Sequence, residues 1–398
     1  MRAPLHRTLP AVCLLAMLAL GAADGARRAV AGTGPRVPFS SGLPEDVREG
    51  LVSFNGLLHR LAGRRMVSNS KNIDAVRLDN GQLALGPVWR TPQFRRKAAR
   101  DVARALAGVR DALAADGIPL AFVLCPAKVP PGGVGLPRGL EDDDNLLADT
   151  LVAALRDAGV ECLDLRERIA AEGVDHASLF FRTDHHWLPS AGLWAANETA
   201  AFLRDRHGFP ADPVRTAPEN YETRRVADRY LGSFGRRTGP WYAGTEPFDI
   251  VVPRFPTDFV FDAPRVRHHT EGPFPEAFLH GIDRPRGLYR ESLYDDYLAS
   301  QQPFSRIENR DGGNGRTLCV VKDSFASVML PNLAVHYRRI VLLDPRNDPR
   351  ISLFRTVREE GADAVLFVLN PNSLVRRHGF FGSSFLRPEP RRRADGEE

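Results

Sequence analysis

Five short strand-like runs, most of them separated by helical patterns, constrain this chain more than any other feature. Leu120 to Cys125, Thr317 to Val321, Arg339 to Asp344 and Ala364 to Leu369 are apolar nearly throughout, Glu161 to Leu165 reads as a further strand, and each is five or six residues long. Runs that short and that continuously apolar read as strands buried on both faces, which is the signature of a parallel sheet covered by helices on either side. The intervening stretches supply those helices. Ala98, Val102, Leu106, Val109, Leu113 and Ala114 recur at helical spacing between about Gln93 and Asp116, and Gly117-Ile118-Pro119 stops the pattern. Further helices are expected over Asn145 to Ala158, Ser190 to about Arg206, and near Ile351 to Gly361. Alternation of this kind predicts a three-layer α/β fold of flavodoxin-like type.

The rest of the 398 residues is organised around that core. Arg2, His6 and Arg7 precede an apolar run from Pro10 to Ala23, the layout of a secretory signal and too short to span a bilayer. Residues 1–23 are therefore expected to be a signal peptide rather than an uncleaved anchor, and 24–45, rich in Gly, Pro and Ala, a linker. A helix is expected from Glu45 to Arg64, and a hairpin between Asn72 and Val88 around Asp79-Asn80-Gly81. One domain is expected over 46–385. Within it 217–315 breaks the α/β rhythm and reads as an irregular or β-rich insertion, with strand-like Phe248 to Val252 and Asp258 to Phe261. The charged residues 386–398 read as a disordered tail. The net charge of +5 is spread along the chain and accompanies no nucleic-acid motif, so no nucleic-acid partner is expected. Beyond Cys13, the three cysteines Cys125, Cys162 and Cys319 sit in strand-like runs and are expected as buried thiols.

Two segments about 140 residues apart carry the chemistry: Thr183-Asp184-His185-His186-Trp187 and Lys322-Asp323-Ser324-Phe325. Together they hold an acid, an imidazole and a hydroxyl, the set that makes a serine nucleophilic at neutral pH. Ser324 follows a strand and precedes an apolar stretch, Phe325 to Leu333, that opens a helix. A nucleophile on such a turn is exposed at the carboxyl edge of a sheet. His186 is the expected base and Asp184 its partner, with side chains on one side of an extended segment; His185 is expected to point elsewhere. A capped turn is the alternative reading of either segment, with Asp323 as the cap. Lys128, Arg346 and Asn370, each just beyond a strand, are candidates for substrate or oxyanion contacts, as is His185. Asp184, His185 and His186 with His268 and His269 lack recognisable metal spacing, so neither metal nor other cofactor is expected.

Asp184-His185-His186-Trp187 resembles the motif naming the DHHW family and is similar to the Asp-x-His-Trp motif of the alginate O-acetylation proteins AlgX and AlgJ. Pro126-Ala127-Lys128, Tyr230-Leu231-Gly232-Ser233-Phe234, His336-Tyr337 and Asp344-Pro345-Arg346 fall in the same order over roughly residues 50–375. The resemblance implies an SGNH-hydrolase-like domain with permuted order, acid and base preceding the serine. It implies Ser324 as nucleophile, His186 as base and Asp184 as its partner. The expected function is that of an exported O-acyltransferase, acetyl being the expected group, acting on a cell-surface or secreted polysaccharide, with a membrane-bound O-acyltransferase as donor. An esterase with the same triad, or a non-catalytic scaffold of an export complex, are the alternatives. Lys322 stands where SGNH esterases have Gly.

Overall fold

The computed structural model describes residues 44–388 apart from 69–73, 87–89, 285, 290–291, 347, 349, 375–379 and 382–383. The sequence expectations for a signal peptide, for most of the linker and for most of the tail lie outside these residues. Among the described residues thirteen strands form three sheets. β1 (Met66–Ser68), β2 (Asp74–Arg77) and β3 (Leu83–Leu85) make a small antiparallel sheet whose β2–β3 hairpin turns through Asp79-Asn80-Gly81. β6 (Tyr221–Tyr230) and β7 (Glu246–Pro253) pair antiparallel on their own.

The central sheet has eight strands in the order β5 (Glu161–Asp164), β4 (Leu120–Leu124), β13 (Ala364–Leu369), β11 (Thr317–Lys322), β12 (Arg339–Leu343), β10 (Phe304–Asn309), β8 (Phe259–Ala263) and β9 (His268–Gly272). The five strands from β5 to β12 run parallel. They are the five strand-like runs of the sequence. The other three add to one edge antiparallel, making the sheet mixed. All three belong to the inserted stretch, which thus extends the main sheet with its later strands while its β6 and β7 pair apart from it. Their alternating polar residues record one-sided burial, which is why they do not read as parallel strands.

The side chains of the parallel strands divide by the pleat. Ala121 and Val123 of β4, Leu318 and Val320 of β11, and Leu366 and Val368 of β13 enter one core, with the helix Pro189–His207 and the inserted aromatics. Leu120, Phe122 and Leu124, Cys319 and Val321, and Val365 and Phe367 enter the other, under the helices Pro92–Ala114, Asp143–Asp157 and Leu353–Glu360. Two apolar faces per strand make the three-layer arrangement obligatory. Cys125, Cys162 and Cys319 are unpaired thiols; Cys162 is only partly buried.

Candidate active site

Ser324 begins a 3₁₀ turn, Ser324–Val328, directly after β11, and a short helix Leu330–Ala334 continues it. The expected single helix is broken into these two pieces, and Pro331 stands at the start of the second, where its missing N–H costs nothing. Asp323 caps the turn, as the capped-turn reading proposed: its Oδ1 accepts from the Phe325 N–H at 2.9 Å. Its Oδ2 accepts from the Asn370 N–H (2.7 Å) and the Ser373 hydroxyl (2.6 Å). Asp323 thereby fastens the end of β11 to the turn after β13. Burial pushes its carboxyl pKa up, with the Ser373 and Asn370 bonds opposing.

The Asp-His-His-Trp segment comes to the same rim. His186 Nε2 lies 2.8 Å from Ser324 Oγ, and His186 Nδ1 lies 2.8 Å from Asp184 Oδ1. The relay is therefore continuous from carboxylate to hydroxyl across a sequence separation of 138 residues. Trp187 locks the two segments together, its indole N–H donating to the Phe325 carbonyl at 2.8 Å. Asp184 is fully occupied. Its Oδ1 also accepts from the His186 backbone N–H (3.0 Å), and its Oδ2 from the Tyr230 hydroxyl (3.0 Å) and the Ser233 N–H (2.6 Å). Gly232 lets that loop approach: a Cβ there would stand 2.4 Å from Asp184 Cβ and 2.7 Å from its Cα. Burial alone would raise the Asp184 carboxyl, but the two imidazoles and their hydrogen bonds hold it well below the usual carboxylate range.

His185 does not point away. Its Nδ1 sits 2.7 Å from Ser233 Oγ and 3.1 Å from Asp184 Oδ1, and its ring centroid is 3.6 Å from that of His186. The expectation of opposite projection holds for an extended strand; this segment is a series of bends, which brings neighbouring side chains together. On the other side, Tyr294 stacks on His186 with centroids 3.9 Å apart and planes 6° from parallel. His186 is thus held between two rings. Burial first, and then the charge of His185, push its pKa down to about 4 against the pull of Asp184. A base with a lowered pKa stays unprotonated, and so competent to take a proton, to lower pH. Ser324-dependent acylation should accordingly be flat from neutral pH downward and fall only as pH drops through about 4. His185→Gln removes a lowering influence and should move that limb upward; a limb unmoved in the variant, read from stopped-flow pH profiles, contradicts the coupling.

The remaining candidates have different positions. Lys128 is buried and gives its ammonium protons to the carbonyls of Phe181 (2.5 Å), Arg182 (3.2 Å) and Asp184 (2.6 Å). Burial pushes its pKa down to about 7, with Glu246 and Asp184 opposing. It is a strut beneath the acid–base segment. Asn370 donates its side-chain amide to the Pro126 carbonyl at 2.9 Å and accepts from the Asn372 N–H. Arg346 makes a two-bond pair with Asp344 (2.8 and 2.6 Å) and lies over the Phe380 ring. Lys322, the last residue of β11, is buried, its Nζ 2.8 Å from Gln301 Oε1, and burial pushes its pKa down to about 8. Ser324, His185, Lys128, Arg346 and Asn370 all line one cavity of about 390 Å³, together with Phe234 and Arg237.

Ligating atoms of Asp184, His185 and His186 lie within 4.8 Å of one another, close enough to hold a metal ion. His268 and His269, on β9, are not in that group. The contacts missed by sequence reasoning are Tyr230 and Ser233 on Asp184 and Tyr294 on His186. The block Tyr230-Leu231-Gly232-Ser233-Phe234 had been visible only as a resemblance.

An SGNH-hydrolase-like α/β fold, with acid and base placed ahead of the serine in sequence, is what these elements define. Residues 88–244 match the model of the family described as SGNH hydrolase-like domain, acetyltransferase AlgX. That span contains Asp184 and His186, while Ser324 lies beyond it. Among solved structures, PatB1 of Bacillus cereus superposes with a TM-score of 0.63 at 18% identity, covering 77% of this chain and 99% of that one. A DHHW family protein from Eubacterium siraeum superposes with a TM-score of 0.56 at 18% identity, covering 78% and 94%. At such identities the likeness is one of fold. No curated protein is recognisably similar in sequence.

Proposed function

We propose that this protein is an exported O-acyltransferase that moves an acyl group, acetyl in the simplest case, onto a hydroxyl of a cell-surface or secreted polysaccharide. The observation that carries the reading is the unbroken Asp184–His186–Ser324 relay, which ends on Ser324 in the cavity wall. In it, His186 Nε2 takes the Ser324 proton as Oγ attacks the donor's acyl carbon, and returns it to the leaving group. Asp184 holds the imidazole in the tautomer with Nδ1 protonated and stabilises the imidazolium. In the second half-reaction the acceptor hydroxyl gives its proton to His186 and attacks the acyl-serine, releasing the ester and restoring Ser324. The Ser324 N–H at the start of the turn and the second N–H of the Asn370 amide are the oxyanion donors in this reading. In this reading a membrane-bound O-acyltransferase is the acyl donor. The matched AlgX-type model supports acetyl as the group.

The test is release of p-nitrophenol from p-nitrophenyl acetate beside Ser324→Ala, with mass spectrometry for an acyl adduct on Ser324. The variant should lose the adduct entirely and at least about 10⁴-fold in rate. Supplying acceptor oligosaccharides should then raise turnover and yield acylated sugar; release of free acetate alone, unaffected by acceptors, identifies an esterase instead. Equal rates and no adduct in either protein leave a scaffold.

A further inference from the structure

The cavity that holds Ser324 is lined, among the described residues, by six acidic or basic side chains: Asp74, Lys128, Asp144, Arg237, Asp323 and Arg346. Four of them are occupied within the protein. Lys128 bonds three carbonyls, Arg346 is paired with Asp344, and Asp323 caps the nucleophile turn. Asp144 accepts from Arg90 at 3.0 Å and from the Asn372 amide at 2.8 Å. The other two are uncommitted. Among the described residues neither the Arg237 guanidinium nor the Asp74 carboxylate has a hydrogen bond or an ion pair, although both residues are half-buried. A cation so placed has lost water without gaining an anion, which favours a ligand that supplies one.

Arg237 stands on the short helix Ser233–Thr238, whose first turn is bound to the acid of the relay. The Ser233 N–H donates to Asp184 Oδ2 at 2.6 Å, and the Phe234 and Gly235 N–H groups donate to the Thr183 carbonyl at 3.1 and 2.9 Å. Gly235 permits this close seat, since a Cβ there would stand 2.4 Å from Leu231 Cδ1 and 3.2 Å from Thr183 Cβ. One turn beyond Ser233, about 6 Å along the axis, Arg237 reaches the cavity. Its Cζ lies 5.6 Å from the centre of the Phe234 ring, which steadies a side chain that has no polar partner. Burial lowers its pKa, Asp184 opposes, and the charge of Arg236 adds to the lowering. We propose that Arg237 is the anion subsite for the acceptor: it takes the carboxylate or phosphate of a charged sugar unit, while Asp74 takes a hydroxyl of the same ligand. The assignment rests on the acyltransferase reading, in which this cavity admits the acceptor glycan. A planar fork of donors suits a two-bond hold on either anion, and a free carboxylate suits a sugar hydroxyl. Because one helix carries Arg237 and holds Asp184, an anion anchored there is fixed relative to the relay.

Binding is read by isothermal titration calorimetry on Ser324→Ala, so that it does not depend on turnover. Oligogalacturonate and phosphorylated mannan oligomers are the charged probes; methyl-esterified oligogalacturonate and plain mannan oligomers are their neutral counterparts. At least one charged probe should bind about 10-fold more tightly than its counterpart, and which one does so distinguishes carboxylate from phosphate. Adding Arg237→Gln should abolish that preference, and Arg237→Lys should keep part of it. Arg96→Gln, on the exposed face of the helix Pro92–Ala114, should leave it intact. Equal affinity for charged and neutral oligomers overturns the proposal, as does no binding by any probe. A preference that survives Arg237→Gln, or that falls as far in Arg96→Gln, overturns it too. Acylation of Ser324 by p-nitrophenyl acetate in the parent keeps the two readings apart. An adduct without anion preference sinks the subsite and spares the acyltransferase; anion preference without an adduct sinks the acyltransferase and leaves Arg237 as the anion site of a binding protein.

Discussion

Asp184→Asn should slow acylation of Ser324 by roughly 10⁴-fold while the chain still folds. Each oxygen of this carboxylate accepts from a different set of donors. Oδ1 takes the Nδ1 and backbone N–H groups of His186, and Oδ2 takes the Tyr230 hydroxyl and the Ser233 N–H. An amide can supply only one acceptor oxygen. With its oxygen toward His186, the new NH₂ meets the Ser233 N–H donor against donor, at a cost of about 1–3 kcal/mol, while the Tyr230 hydroxyl must turn its proton to Ser292 and accept instead. Rotated the other way, it donates to His186 Nδ1 and forces the proton onto Nε2, which can then no longer accept from Ser324. Either placement disables the base or strains the loop. His185 also lies within 3.1 Å of Asp184 Oδ1, so its orientation should change too. Single-turnover release of p-nitrophenol, with circular dichroism as the folding control, measures this. An Asn variant within tenfold of the parent would falsify the assigned role of Asp184.

Lys128→Met should be the most destabilising single change at the site, by about 3 kcal/mol or more. Methionine fits the space but leaves the carbonyls of Phe181, Arg182 and Asp184 without the ammonium that now bridges them. These carbonyls belong to the backbone that carries the acid and base, so the rate should fall together with stability. Lys128→Arg does not repair it, because a planar fork cannot replace a compact three-donor head in so enclosed a position. Urea unfolding curves at neutral pH read the effect as a lower midpoint at unchanged slope. A midpoint equal to the parent's, with normal acylation, makes Lys128 a bystander in the wall of the cavity.

The fold was legible where burial is two-sided. Apolar runs such as Val320-Val321 and Ala364-Val365-Leu366 have no polar face, so only a covered parallel sheet accommodates them. The hairpin at Asp79-Asn80-Gly81 and the helix Pro92–Ala114 were equally plain, each having a local cause in turn chemistry or periodicity. β8, β9 and β10 were not placed in the main sheet, because alternation marks a strand with one buried face but not the edge it joins, and that depends on partners far away in sequence. The same limit applies at the site. Asp184, His186 and Ser324 were picked out by residue type and by the strand before Ser324, but nothing local to Tyr230, Ser233 or Tyr294 records that they grip Asp184 or stack on His186. Nor does the Lys128 side chain announce that its partners are carbonyls more than 50 residues on. His185 was misplaced for a different reason: alternation of sides was assumed for a segment that bends at every residue.

The sheet order has a consequence for how the chain comes off the ribosome. β11, which delivers Ser324, sits between β12 and β13, and both are made after it. β4, made early, pairs with β13, the final strand. Until the last segment emerges, the nascent polypeptide therefore has its acid and imidazole but no seat for the hydroxyl, and β4 has an open hydrogen-bonding flank. The relay is assembled only once Ala364–Leu369 has joined β11 and β4, so a product cut short before Ala364 should lack the proposed activity and leave a strand edge open.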